Sequence, residues 1–154
     1  MPKHKNPSEV YNSCLGEGKV QRLTEVNPLK LRSLIVNAEV NLSSAQKLST
    51  TLIPTDKEWM NVFTLHYEAL RMYPEVLLYI EKVNSSNHYC LFAGLSVLYT
   101  HLELDWSFLE RVRAKRHGLN YYGETFSFSD WKSVELQLNL YISALQKEVQ
   151  RRLP

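Results

Sequence analysis

The stretch Trp59-Met-Asn-Val-Phe-Thr-Leu-His-Tyr-Glu-Ala-Leu-Arg-Met-Tyr-Pro-Glu-Val-Leu-Leu-Tyr-Ile80 decides the fold. Trp59, Val62, Phe63, Leu70, Tyr73, Leu77 and Ile80 recur at steps of mostly three, four and seven residues, the signature of one apolar face on an α-helix. Pro74 stands inside this run. Because proline has no N–H to donate and crowds the preceding turn, its position predicts a kink or a break.

The same period continues on both sides. Upstream, Pro28 suits a first helical turn, and Leu31, Leu34, Ile35, Ala38, Leu42, Ala45 and Leu48 follow as one stripe. Ile53-Pro54-Thr55-Asp56 then breaks the chain and restarts it, with Thr55 or Asp56 as the expected cap. Downstream, Asn84-Ser85-Ser86-Asn87 is a turn and cap cluster before a helix carrying Leu91, Phe92, Leu95, Leu98 and Leu102. A break near Glu103–Asp105 leads into a fourth helix over about 105–120. Tyr122-Gly123-Glu124 closes it, with Gly123 as the left-handed residue beyond the end. Ser129 or Asp130 is expected to cap the last helix, whose stripe is Trp131, Val134, Leu138, Tyr141, Ile142, Leu145 and Val149. No strand-like alternation longer than Thr125–Phe128 competes with this pattern. Amphipathic helices with short links predict an all-α fold, an antiparallel bundle of about five helices over residues 28–154. Residues 1–27 mix prolines, glycines and charges without a period, and are expected to form an N-terminal arm, partly disordered, with one short helical turn around Ser8–Leu15.

Composition narrows the function classes. A chain of 154 residues is long enough to bury one core, and 44% hydrophobic with 22% charged residues is ordinary for a globular domain. The net charge of +2 is too small for a histone-like coat, so binding to nucleic acid requires a local patch. Cys14 and Cys90 have no metal-ligand spacing and read as free thiols of a reducing compartment rather than a disulfide framework. Neither a metal nor a cofactor is expected. The first residues lack the apolar run of a signal peptide, and no window reaches a membrane span. The expected location is the cytoplasm.

The chemistry-bearing segment is Glu110-Arg-Val-Arg-Ala-Lys-Arg-His-Gly-Leu-Asn-Tyr-Tyr-Gly123. At about 100° per residue, Arg113, Arg116, His117 and Asn120 share an arc of roughly 100°. Phe108, Val112 and Leu119 fall on the neighbouring arc toward the core, and Arg111 points off toward solvent. Two guanidiniums, an imidazole and an amide on one face are the parts of a phosphate-binding site. The plainer alternative is a solvated basic face, favoured near a helix C-terminus by the macrodipole.

Tyr67-Glu-Ala-Leu70, Asn87-His-Tyr-Cys-Leu-Phe-Ala93 and Arg113-Ala-Lys-Arg-His-Gly-Leu-Asn-Tyr-Tyr-Gly123, in that order and spacing, resemble the HEPN family over roughly residues 28–150. The resemblance implies a helical bundle that forms a homodimer. It also implies a ligand that is RNA or a nucleotide, and for many members a metal-independent endoribonuclease activity in toxin–antitoxin or defence systems. Other members are non-catalytic interaction modules, some partnering a nucleotidyltransferase-type antitoxin protein. Catalytic members carry an Arg, a polar residue and a later His, which would move protons while Arg stabilises the phosphorane charge. Carried over, Arg116 takes the Arg position and His117 the polar position, while Tyr121 or Tyr122 stands where the later His belongs. The implied catalytic set is Arg116, His117 and Tyr121. The implied ligand-binding set is Arg113, Arg116, His117 and Asn120. Arg111 with His117 is an alternative pairing, disfavoured because the two point about 120° apart on a helix. His88, at the start of the third helix, caps locally or supports the basic face, and His66 and His101 read as satisfied, partly buried side chains.

Overall fold

A computed structural model describes residues 5–153. Six α-helices account for most of it: α1 Pro7–Gly16, α2 Pro28–Ser49, α3 Trp59–Ile80, α4 His88–Leu98, α5 Trp106–Tyr121 and α6 Phe128–Arg152. The all-α expectation holds, with one helix more than the pattern suggested, so the basic helix expected as fourth is α5. A single 3₁₀ turn, Thr100–Leu102, joins α4 to α5. Two dipeptide strands, β1 Gln21–Arg22 and β2 Val83–Asn84, pair antiparallel, Gln21 opposite Asn84 and Arg22 opposite Val83.

The helix α3 is the axis of the fold, and α2, α4, α5 and α6 all pack against it. Its Val62, Phe63, Tyr67, Leu70, Tyr73 and Leu77 are buried together with Trp131, Val134, Leu138, Ile142, Leu145 and Val149 of α6 in one core. The break that Pro74 could have caused does not occur. The helix runs unbroken from Trp59 to Ile80, with Pro74 itself buried. Interior proline costs a helix about 3 kcal/mol, and a helix packed on several sides recovers more than that from apolar burial.

The helix starts follow cap chemistry, and two differ from expectation. Asn27 accepts from the N–H groups of Leu29 and Lys30, so α2 begins at Pro28 as its pattern requires. Neither Thr55 nor Asp56 caps α3: Asp56 instead accepts from the Ile53 N–H at 2.8 Å, closing the turn before the helix. The cap of α6 is Ser127, not Ser129 or Asp130. Ser127 Oγ accepts from the Asp130 N–H at 3.2 Å, and Asp130 Oδ2 accepts from the Ser127 N–H at 2.9 Å. Asp130 is thus the reciprocal partner three residues on. Gly123, at φ 64°, takes the left-handed conformation just past α5.

The N-terminal arm is more ordered than its composition suggests, although residues 1–4 of it lie outside the described residues. Asn6 caps α1 by accepting from the Glu9 N–H at 2.9 Å, and Val10, Tyr11 and Cys14 are buried in a second core with Val20, Cys90 and Ala93. Cys14 and Cys90 are joined by a disulfide, their Cα atoms 5.9 Å apart, and no free cysteine remains among the described residues. This corrects the free-thiol reading. The two thiols are 76 residues apart and meet only because α1 lies along α4. With the thiols oxidised, the argument from them to a reducing compartment falls. No described helix is long and apolar enough to cross a membrane.

Candidate functional site

A cleft of about 270 Å³ opens between the N-terminus of α4 and the polar face of α5. All five residues singled out on α5 line it: Arg113, Arg116, His117, Asn120 and Tyr121. They converge for the reason the helical arc implies, since Phe108, Leu109 and Val112 anchor the other side of α5 in the core. Arg111 is not among the lining residues; it is exposed, with its guanidinium over the Phe108 ring at 5.2 Å. The opposite wall is Ser86-Asn87-His88-Tyr89, with Tyr67 and Glu68 of α3 beneath. Asn87 caps α4 by accepting from the Cys90 N–H at 3.1 Å, so the positive end of an eleven-residue helix borders the cleft.

Three guanidiniums and three carboxylates interleave here. Arg113 is fully engaged: its Nε and Nη2 donate to the two oxygens of Glu110 at 2.9 and 3.0 Å, and its guanidinium covers the Tyr89 ring at 4.8 Å. Arg71 donates to Glu68 at 2.7 Å and to Glu75 at 3.0 Å. Arg116 is left with the weakest arrangement. Its Nη2 lies 3.8 Å from Glu68, beyond hydrogen-bond reach, and its Nε is buried with no hydrogen-bond partner among the described residues. A buried guanidinium N–H without an acceptor forfeits about 1–3 kcal/mol, so Arg116 is the least satisfied of the three guanidiniums.

Tyr67 and His88 form a second polar unit. The Tyr67 hydroxyl is 3.0 Å from His88 Nδ1. Burial pushes the Tyr67 phenol well above the ordinary tyrosine range, so it keeps its proton at neutral pH. Burial, with the cations Arg71, Arg113 and Arg116 outweighing the opposing carboxylate of Glu68, lowers the His88 pKa, so its ring is neutral there. With the phenol donating to Nδ1, the remaining ring hydrogen is assigned to Nε2, and His88 presents a neutral N–H donor.

At the outer end of the cleft, the His117 ring sits 4.7 Å from the Tyr121 ring and 5.5 Å from the Tyr122 ring. Tyr67 was the hidden member of the site. Its helical position marks it as core, which it is, and its hydroxyl meets His88 at the cleft. Among the described residues no group of three or more His, Cys, Asp or Glu side chains is placed to hold a metal ion. Comparison with protein-family models, with curated proteins and with solved structures finds no match to this chain.

Proposed function

We propose that this cleft binds the phosphate of an RNA or nucleotide, and that the chain is a HEPN-like protein acting through the basic face of α5. The Arg116 guanidinium, which lines the cleft and comes no closer than 3.8 Å to Glu68, carries the reading. A phosphate oxygen in the cleft supplies this guanidinium with an acceptor, and a guanidinium held by packing loses little freedom in donating to it. The α4 N-terminus and the neutral His88 N–H add donors of the kind an anion requires. The flanking carboxylates neutralise Arg71 and Arg113, which favours recognition of one phosphate over attraction to a long polyanion.

Arg116, His117 and Tyr121 are the residues for any metal-independent endoribonuclease step, with Arg113, Arg116, His117 and Asn120 as the binding set. Tyr121 replaces an imidazole with a phenol, a weaker proton acceptor at neutral pH, so binding is the primary role and cleavage the secondary one. A homodimer, in which two such faces combine, belongs to the same proposal. The second reading is a non-catalytic HEPN interaction module partnering a nucleotidyltransferase-type protein. Its support is the ion pairing of Arg71 and Arg113, which leaves a nearly neutral face able to dock on protein.

Titration of labelled RNA and of AMP into wild type, Arg116→Ala and Arg111→Ala separates these readings. Arg116→Ala is expected to weaken binding by about 1–3 kcal/mol and Arg111→Ala to change it little. Equal losses would indicate diffuse electrostatics. No binding by a folded wild type would transfer the case to the interaction module. Incubation of RNA without metal, followed by sizing of the products, tests cleavage.

A further inference from the structure

We infer that the ligand of this cleft carries an unpaired base beside its phosphate, and that Tyr121 and Tyr122 form the surface on which that base stacks. The inference rests on the phosphate reading of Arg116. Its independent support is the exposure of these two rings. Tyr121 is 71% and Tyr122 73% exposed, whereas every other Phe, Tyr and Trp of the described residues is at least partly buried. Two adjacent aromatic rings left in water at one point of a chain that otherwise covers its aromatics mark a recognition surface.

Placement connects the rings to the anion site. Tyr121 lines the cleft itself, one helical turn beyond His117. Asn120 stands one turn beyond Arg116, with an amide that can both donate to and accept from a base edge. A turn of helix advances about 5.4 Å, so a phosphate held at Arg116 leaves its base beside Asn120 and Tyr121. The His117 ring, tilted against Tyr121 and edge-on to Tyr122, continues the aromatic surface inward. A paired base in a duplex has both faces covered by its neighbours and offers nothing to such a surface, while an unpaired one stacks on aromatic side chains. The ligand class is therefore a nucleoside phosphate, either free or within a single strand.

The experiment measures binding of four probes at fixed salt: inorganic phosphate, AMP, a single-stranded RNA hexamer, and that hexamer annealed to its complement. Wild type is compared with the double variants Tyr121→Ala/Tyr122→Ala and Tyr121→Phe/Tyr122→Phe, each checked for fold by circular dichroism. The single strand should bind about tenfold tighter than the duplex, and the alanine pair should remove about that much affinity for base-bearing probes. The phenylalanine pair should retain it, since stacking needs the ring and not the hydroxyl. AMP binding as well as the hexamer identifies a free nucleotide as sufficient; a preference for the hexamer identifies the strand. Equal affinity for single strand and duplex overturns the inference while phosphate binding at Arg116 stands. So does an alanine pair that alters oligomeric state but not base discrimination. Failure of wild type to bind any probe overturns the phosphate reading and this inference with it.

Discussion

Arg116 Nη2 lies 3.8 Å from Glu68 Oε1, while the other oxygen of Glu68 accepts from Arg71 Nη2 at 2.7 Å. Glu68 is therefore a competitor of any anion in the cleft. Glu68→Gln removes one negative charge from beside Arg116 and leaves Arg71 its bond to Glu75 at 3.0 Å. Affinity for phosphate should rise by roughly three- to tenfold at low salt, and the gain should shrink as salt is added. Calorimetric titration of AMP into both proteins checks this, and an unchanged or weaker affinity would contradict the role given to Glu68.

Tyr67→Phe removes the hydroxyl that faces His88 Nδ1 and leaves the buried ring in place. The imidazole loses its tautomer-fixing partner, at a stability cost of about 1 kcal/mol. Nitrogen chemical shifts of His88 should move from one dominant tautomer toward a mixture while the helix content stays constant. Unaltered shifts would show that something else holds the ring.

Acid should weaken the fold through two imidazoles. Burial holds His66, which also bonds the Val62 carbonyl at 2.8 Å, below the ordinary histidine pKa of 6.5, and burial with nearby cations does the same to His88. In the unfolded chain both take up protons near pH 6.5, whereas the folded state resists until lower pH. Their contribution is thus present in full above that value and is lost as pH falls through the window below it. Melting temperature should drop between pH 7 and 5. A flat profile over that range would refute the burial argument for both rings.

How much of this was legible in the sequence depends on the distance over which each feature is encoded. The α6 stripe from Trp131 to Val149 and the start of α2 at Pro28 are local patterns, and both stand where the period puts them. The arc of Arg113, Arg116, His117 and Asn120 on α5 is equally local, so those residues do share one cleft. The cap of α6 was misplaced by two or three residues because Ser127, Ser129 and Asp130 are all good cap residues, and only the reciprocal bond distinguishes them. Tyr67 with His88, 21 residues apart, and Cys14 with Cys90, 76 apart, are tertiary pairings that no periodicity announces.

The disulfide should be a large term in stability. It closes a loop spanning 76 residues, for which loop-closure entropy gives about 4 kcal/mol. The double variant Cys14→Ser/Cys90→Ser should unfold at markedly lower urea than the oxidised protein and match wild type treated with a dithiol reductant. Coincident urea midpoints for the oxidised and variant proteins would mean that α1 is held on α4 by apolar contact alone.

That bond also sets an order in time. Cys14 leaves the ribosome before its partner, which is made 76 residues later, after all of α2 and α3. The helix α1 therefore cannot be locked until α4 has emerged. During that interval the apolar side of α1, with Val10, Tyr11 and Cys14, has no α4 to cover it. The nascent chain thus carries an uncovered thiol while those 76 residues are made.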